Sequence, residues 1–253
     1  MTKILITGAT GAIGSALALS YACDGVVLHL HGRRKEALDA LAQRCKDLGA
    51  SVFCHSCDLL DTDAMSLWLA ELDSLYPIDL FFANAGININ TGAKSEGENP
   101  KEIEQLLGLN VKSTLLMSDQ LAKAMRKRKR GQIVLVSSLA AYFGLPVTPS
   151  YSASKAAIKA YGEGLRGWLA DTGVGVTVVM PGYVKSDMCD AMPGPKPFLL
   201  SADKAATLIK QGVKKNRAKV SFPFPLNLGT WFLMVLPSTI SHRILKLLNY
   251  TGK

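Results

Sequence analysis

Six short apolar runs set the strongest limit on what this chain can become: "KILIT", "VVLHLHG", "SVFCHSCDL", "IDLFFANAG", "GQIVLVSS" and "VGVTVVMPG". A strand that alternates apolar and polar residues buries one face of a sheet; runs this continuous bury both. Between them lie amphipathic stretches such as "RRKEALDALAQRCKDLG", which reads as a helix stopped by Gly49. Strand and helix alternate down the chain, so the expected fold is a doubly wound parallel α/β sheet with helices on both faces. Hydrophobic residues make up 48% of the 253 and charged residues 19%, which supplies a large core and excludes a disordered polyelectrolyte. A long helix is expected from about Pro100 to Arg128, and Asp61 or Thr62 should cap the helix after the third run.

The first run leads directly into Gly8-Ala9-Thr10-Gly11-Ala12-Ile13-Gly14 and a helix start. Glycines at such a turn let a pyrophosphate approach the backbone N–H groups of a helix N-terminus. Dinucleotide sites usually add a carboxylate at the end of the second strand, to hold the ribose 2′-hydroxyl. Here that end reads His31-Gly32-Arg33-Arg34, with no carboxylate. An arginine would pair with a 2′-phosphate, so NADP(H) is favoured and NAD(H) is the alternative. The competing reading has Arg33 and Arg34 simply at the solvated start of the next helix.

Taken in order, the motifs from Lys3 to Ser186 resemble the short-chain dehydrogenase/reductase family, in its short single-domain branch with a Rossmann-like fold. The resemblance implies that Gly8, Thr10, Gly11, Ala12, Ile13 and Gly14 form the cofactor turn, and that Asp58 and Leu59 meet the adenine ring. Asn84-Ala85-Gly86 looks like the family's element after the fourth strand. Pro181, Gly182, Val184 and Ser186 match its turn at the nicotinamide end. Ser138, Tyr151 and Lys155 match the catalytic serine, tyrosine and lysine, with Tyr151 thirteen positions after Ser138 as is usual. Asn110 matches the asparagine that organises a relay water. Three departures stand out: Ala12 where the short branch has glycine, Ser186 where threonine is commoner, and Gly11 near a position often basic in NADP-preferring members. The spacing of Gly8, Gly11 and Gly14 is that of the extended branch of epimerases and dehydratases, but the 71 residues after Gly182 are too few for that branch's substrate domain.

The residues themselves imply the chemistry. Tyr151 and Lys155 are four apart and share a helix face. A nearby ammonium should lower the phenol's pKa, making Tyr151 a general acid in reduction and a base in oxidation. Ser138 would hold the substrate oxygen, and Lys155 would also bind the nicotinamide ribose. The expected activity is NADP(H)-dependent interconversion of a carbonyl and a secondary alcohol. The alternatives are a nucleotide-sugar epimerase, dehydratase or reductase with tightly held cofactor, and a cofactor-binding sensor without turnover.

Other signals carry less. Cys54 and Cys57 bracket one histidine, short of a zinc site, so no metal is expected. His29 and His31 read as structural. "RKRKR" at Arg126–Arg130 closes a helix, where cations are favoured, and no nucleic-acid partner is expected. Five cysteines and no signal peptide read as reduced thiols in a cytoplasmic protein.

The chain is expected to be one domain: a core over 1–182, a substrate loop and lid helix over 183–218, and a strand with an apolar helical extension over 219–253. The Pro-rich lid around Met188–Leu200 suits a hydrophobic or amphipathic substrate. The tail "FPFPLNLGTWFLMVLPSTISHRILKLL" is too short an apolar run to span a bilayer. It could be a lid, a surface of a homodimer or homotetramer, or a contact with an anionic membrane aided by the basic stretch Lys210–Lys219.

Overall fold

The structure, a computed structural model, describes residues 1–92 and 96–250; the last three residues of the expected extension lie outside these. Seven strands form one parallel sheet in the order β3-β2-β1-β4-β5-β6-β7. They are β1 (Thr2–Ile6), β2 (Val26–His31), β3 (Ser51–His55), β4 (Leu80–Ala83), β5 (Gly131–Val136), β6 (Val174–Pro181) and β7 (Lys219–Phe222). Ten helices accompany them among the described residues. The first six are α1 (Ala12–Tyr21), α2 (Lys35–Asp47), α3 (Thr62–Leu75), α4 (Pro100–Leu107), α5 (Thr114–Arg128) and α6 (Pro149–Trp168). After β6 come α7 (Asp187–Asp190), α8 (Ala202–Lys214), α9 (Leu226–Val235) and α10 (Ser238–Leu247).

The apolar runs behave as their composition requires. All eight residues of β6 and all four of β4 are buried, since α1, α2 and α8 cover one face and α3, α5 and α6 the other. The exception is β3, an edge strand that leaves Ser51, Phe53 and Cys54 exposed. Strand order reverses between β1 and β4, so the chain departs to opposite sides there and leaves a crevice beyond their C-terminal ends.

Local chemistry sets several boundaries. Asp61 caps α3, accepting from the Ala64 N–H at 3.0 Å. The helix expected over 100–128 is interrupted: a π-helical turn at Gly108–Ser113 separates α4 from α5. Such turns insert one residue and commonly mark functional positions; this one carries Asn110. The three arginines of the basic run at the end of α5 find partners on other elements, although all but Arg128 are exposed. Arg128 makes a two-pronged pair with Asp73 at 2.6 and 3.1 Å, Arg130 meets Asp79 at 2.6 Å, and Arg126 lies over the Trp168 ring.

The basic stretch after α8 stands elsewhere than its place in the sequence implies. Strand β7 runs parallel to β6, with Phe222 beside Pro181 at the crevice end. Lys219 therefore starts the strand at the other end, about 10 Å from the tail. Its amine meets Glu163 at 3.6 Å, and Lys210 donates to the Ser20 carbonyl above the Tyr21 ring. Of that stretch, Lys219 lies over the Tyr142 ring, which shares a cluster with Leu226 at the start of the tail, whereas Lys210 is held at α1.

On the outer strands, polar rings are packed into a chain. Trp68 Nε1 can only donate, and it donates to His55 Nδ1 at 3.2 Å. His55 must then carry its proton on Nε2 and pass it toward His29 Nδ1, 3.2 Å away. His29, stacked near Phe53 and Tyr76, keeps a buried Nε2–H without a partner among the described residues. Burial, with each ring's charged neighbours, lowers both histidines from 6.5 to about 4.

Both folded values lie below the unfolded one, so this contribution to stability is complete above pH 6.5 and is lost as pH falls toward 4. The urea midpoint is expected to drop between pH 7 and pH 4.5, and His29→Phe should flatten part of that slope. An identical slope in wild type and variant would show that the ring cluster does not set it.

Candidate active site

The crevice floor is built by hydrogen bonds between the ends of β1 and β4. Asn84 Nδ2 donates to the Thr7 and Gly8 carbonyls at 2.9 and 3.1 Å. The Thr7 hydroxyl donates to the Phe82 carbonyl and accepts from the Asn84 and Ala85 N–H groups at 3.0 and 3.1 Å. Gly8 has φ +62°, and a Cβ there would lie 2.8 Å from Ala85 Cα, so a side chain is excluded twice over. Thr10, Gly11, Ala12 and Ile13 line the crevice at the start of α1. That helix has no side-chain cap and no acidic residue in its first turn, which leaves its first amides available to an anion.

Gly14 does something other than expected. It does not line the crevice; a Cβ there would run into the Gly8 carbonyl and approach Ala9 Cα to 2.9 Å. Its role is close packing of α1 on the turn.

At the end of β2, Arg33 and Arg34 both line the crevice but are used differently. Arg34 donates to the Thr10 carbonyl at 2.6 Å and so bridges the glycine turn to α2. Arg33 has no ion pair or side-chain hydrogen bond among the described residues, which leaves its guanidinium available. His31 also lines the crevice, with Nε2 2.6 Å from the Cys57 carbonyl; the sequence had placed it as purely structural. Asp58 and Leu59 form the neighbouring wall, with Asp58 accepting from the Leu60 N–H at 3.0 Å.

Ser138, Tyr151 and Lys155 meet in the same crevice, together with Ala85, Gly86, Pro181, Gly182, Val184 and Ser186. The start of α6 is anchored by the serines between and beside its reactive residues. Ser152 bridges the Thr148 carbonyl and the Leu145 N–H, Ser154 donates to the Tyr151 carbonyl, and Ser137 donates to the Lys155 carbonyl at 2.7 Å. Ser138 accepts from the Ala140 N–H at 3.1 Å, and its hydroxyl lies 3.4 Å from the Pro181 carbonyl. Ser186 is occupied as the cap of α7, accepting from Cys189 N–H at 3.1 Å.

The electrostatics correct one expectation. Tyr151 is not lowered by Lys155: burial pushes the phenol up to about 12, against the opposite pull of the neighbouring Ser138 hydroxyl. The Lys155 amine donates to the Val136 carbonyl at 3.0 Å and lies 5.5 Å from the centre of the Tyr151 ring. Burial lowers the amine to about 8. Desolvation thus outweighs the attraction between the two groups in the protein alone.

Asn110 stands behind the crevice wall and does not line it. Its side chain accepts from the Ile87 N–H and donates to the Ile87 carbonyl, both at 2.8 Å, and reaches Ser154 at 3.2 Å. It clamps the segment after Gly86 against α6. A Cβ on Gly86 would lie 3.0 Å from Asn110 Oδ1 and 3.6 Å from Lys155 Nζ, so the clamp sets the ceiling over the lysine.

The sequence reading missed how much of the crevice the tail supplies. Leu226, Leu233, Ile244, Leu248 and Tyr250 line its outer part. Tyr250 donates to the Pro195 carbonyl at 2.9 Å, latching the tail to the lid loop. Helix α9 is apolar on nearly every side, so its sequence does not say which face meets the crevice. The whole crevice measures about 1130 Å³, above the usual range for a single small ligand. Its inner part, with bare helix amides and the available Arg33, could hold a phosphorylated dinucleotide and leave the outer part for a substrate.

Comparisons with known proteins agree with this architecture. Residues 2–194 match the family described as short chain dehydrogenase. An uncharacterized oxidoreductase of Myxococcus xanthus is 37% identical over 238 residues, 93% of each chain. A 3-oxoacyl-(acyl-carrier-protein) reductase of Rickettsia bellii is 31% identical over 74% of this chain and 75% of its own. Among solved structures, a short-chain dehydrogenase from Sphingobium yanoikuyae in complex with NADPH superposes with TM-score 0.82 at 23% identity, covering 98% of this chain and 95% of that one. A bulky-bulky ketone specific alcohol dehydrogenase from Comamonas testosteroni gives TM-score 0.78 at 22% identity, covering 89% and 87%.

If Asn110 is a clamp, Asn110→Ala strands both backbone groups of Ile87. Urea unfolding should then show a loss of about 1–3 kcal/mol, and Asn110→Asp should also destabilise, because its carboxylate keeps an acceptor for the Ile87 N–H but turns an oxygen on the Ile87 carbonyl. Equal stability of Asn110→Ala and wild type would remove that role.

Proposed function

The chain belongs to the short-chain dehydrogenase family, and on that premise we propose that it is an NADP(H)-dependent oxidoreductase interconverting a carbonyl and a secondary alcohol on an apolar substrate. The observation that carries the reading is the convergence of Ser138, Tyr151 and Lys155 on one crevice with an uncapped helix start and an available arginine. A bound reduced nicotinamide supplies the hydride. The protein supplies the proton and the placement. Tyr151 donates its phenolic proton to the substrate oxygen, and the Ser138 hydroxyl hydrogen-bonds the same oxygen as charge builds on it. Lys155, buried beside the ring, holds positive charge where phenolate forms. In the reverse direction the same groups take the alcohol proton.

A phenol near 12 is a reluctant source of phenolate, so the protein alone favours the protonated acid, the state that reduction needs. Arg33 suits a 2′-phosphate, and Arg34 holds the turn in place. The substrate end is walled by Leu139, Phe143, Met188, Leu226 and Leu233, which supports a bulky apolar carbonyl compound. The similarity to a 3-oxoacyl-(acyl-carrier-protein) reductase is in keeping with that class. The epimerase reading is weaker, because the residues after β6 build a roof and not a sugar-binding domain.

With a panel of bulky apolar ketones, NADPH absorbance should fall in wild type, and Tyr151→Phe should cut kcat by at least about a hundredfold. Undiminished turnover in that variant would refute the acid. Lys155 is charged below about 8 and neutral above it, so kcat/KM for reduction should hold level up to pH 8 and decline beyond. Arg33→Ala should shrink the preference for NADPH over NADH by about tenfold or more; an unchanged ratio would count against the 2′-phosphate contact.

A further inference from the structure

The two C-terminal helices present an apolar surface that the fold leaves bare. Leu226, Gly229, Thr230 and Leu233 of α9 face the crevice. Those positions are spaced i, i+3, i+4 and i+7, one face of a helix. Leu228, Trp231, Phe232 and Val235 repeat that spacing on the opposite face, and they are 46%, 40%, 49% and 53% exposed. Phe224, in the loop before α9, is 77% exposed. Next to this, α10 exposes Ile240 and Leu247 together with Arg243 and Lys246. Ser241 donates to the Leu233 carbonyl at 2.8 Å, so the two helices form one hairpin.

Charge identifies the partner. Residues 204–253 contain nine lysines and arginines and no aspartate or glutamate. They carry the entire formal charge of +9, since the other twenty basic residues are balanced by twenty acidic ones; of the nine, Arg243 and Lys246 stand on the hairpin itself, while Lys210 and Lys219 are held at Ser20 and Glu163. An apolar stripe with tryptophan, flanked by cations and free of carboxylates, matches an anionic lipid surface. Depth is limited, because no described helix is long and apolar enough to cross a bilayer.

We propose that α9 and α10 dock the protein on an anionic bilayer, with the Leu228–Val235 stripe entering the headgroup boundary and Arg243 and Lys246 meeting lipid phosphates. The opposite face of α9 lines the crevice, so a lipid-dissolved carbonyl compound would reach the site past the same helix. That consequence rests on the function proposed above. The docking itself does not, and it is read by sedimentation and not by turnover.

Full-length protein is centrifuged with vesicles of phosphatidylglycerol and phosphatidylcholine, and separately with pure phosphatidylcholine. It should pellet with the anionic vesicles several times more than with the neutral ones. Trp231→Glu combined with Phe232→Glu should return it to the supernatant, with its melting temperature and its mass by light scattering unchanged. Arg243→Gln and Lys246→Gln should each weaken anionic binding by about fivefold. Protein that stays in the supernatant with anionic vesicles overturns the proposal. Equal pelleting with neutral vesicles overturns the anionic assignment. A fall in mass on Trp231→Glu with Phe232→Glu would instead assign the stripe to a contact between copies of the chain, and would also overturn it.

Discussion

The joint between β1 and β4 is the constraint on which the site depends. Parallel strands flanking a reversal of order diverge beyond their ends, and something must hold them while leaving the crevice open. Thr7 does this with one hydroxyl that donates once and accepts twice. Asn84 returns two bonds to the carbonyls of Thr7 and Gly8. These buried bonds satisfy backbone groups that would otherwise stay unpaired at strand ends. They also fix the height of the glycine turn, which fixes where the first amides of α1 point. The glycine turn and the segment leading to Gly86 and Asn110 are therefore one unit.

A second unit carries Tyr151 and Lys155. The start of α6 is tied by Ser137, Ser152 and Ser154, and Asn110 joins it to the first unit through Ser154. Burial at this junction acts on both titrating groups toward neutrality, raising the phenol and lowering the amine. The protein thus stores an uncharged acid beside a lysine poised near neutral pH. Charge placed in the crevice by a ligand would meet little water and act strongly on both. The pocket's electrostatics are set to respond to what binds, and Lys155 alone does not set the acidity of Tyr151.

Much of this was legible in the sequence, for physical reasons that differ by residue. The continuously apolar runs gave the parallel sheet, since a strand's composition reports how many of its faces are covered. The turn from Gly8, the Arg33-Arg34 pair and the spacing from Tyr151 to Lys155 are local, and local geometry survives translation from sequence. Contacts set by tertiary neighbours were not legible. Gly14 packs against Gly8, Asn110 clamps Ile87, and Arg126, Arg128 and Arg130 find partners on other elements. Lys210 adjoins the tail in sequence but is held at α1, while Lys219 pairs with Glu163 and lies over the Tyr142 ring.

The tail shows how one element can serve two environments. A helix apolar on one side packs that side and wets the other. From Leu226 to Val235 there is no charged residue on either side. The inward face is accounted for by the crevice, and by the cluster of Leu233, Leu245 and Tyr250. The outward face has no such account among the described residues, and leaving large apolar side chains in water is unfavourable at about 25 cal/mol for each Å². A roof needed merely to close a crevice would be as well served by polar residues outside. That the outer face is aromatic and aliphatic, beside cations without counter-charges, implies that its partner is apolar within and anionic at its surface.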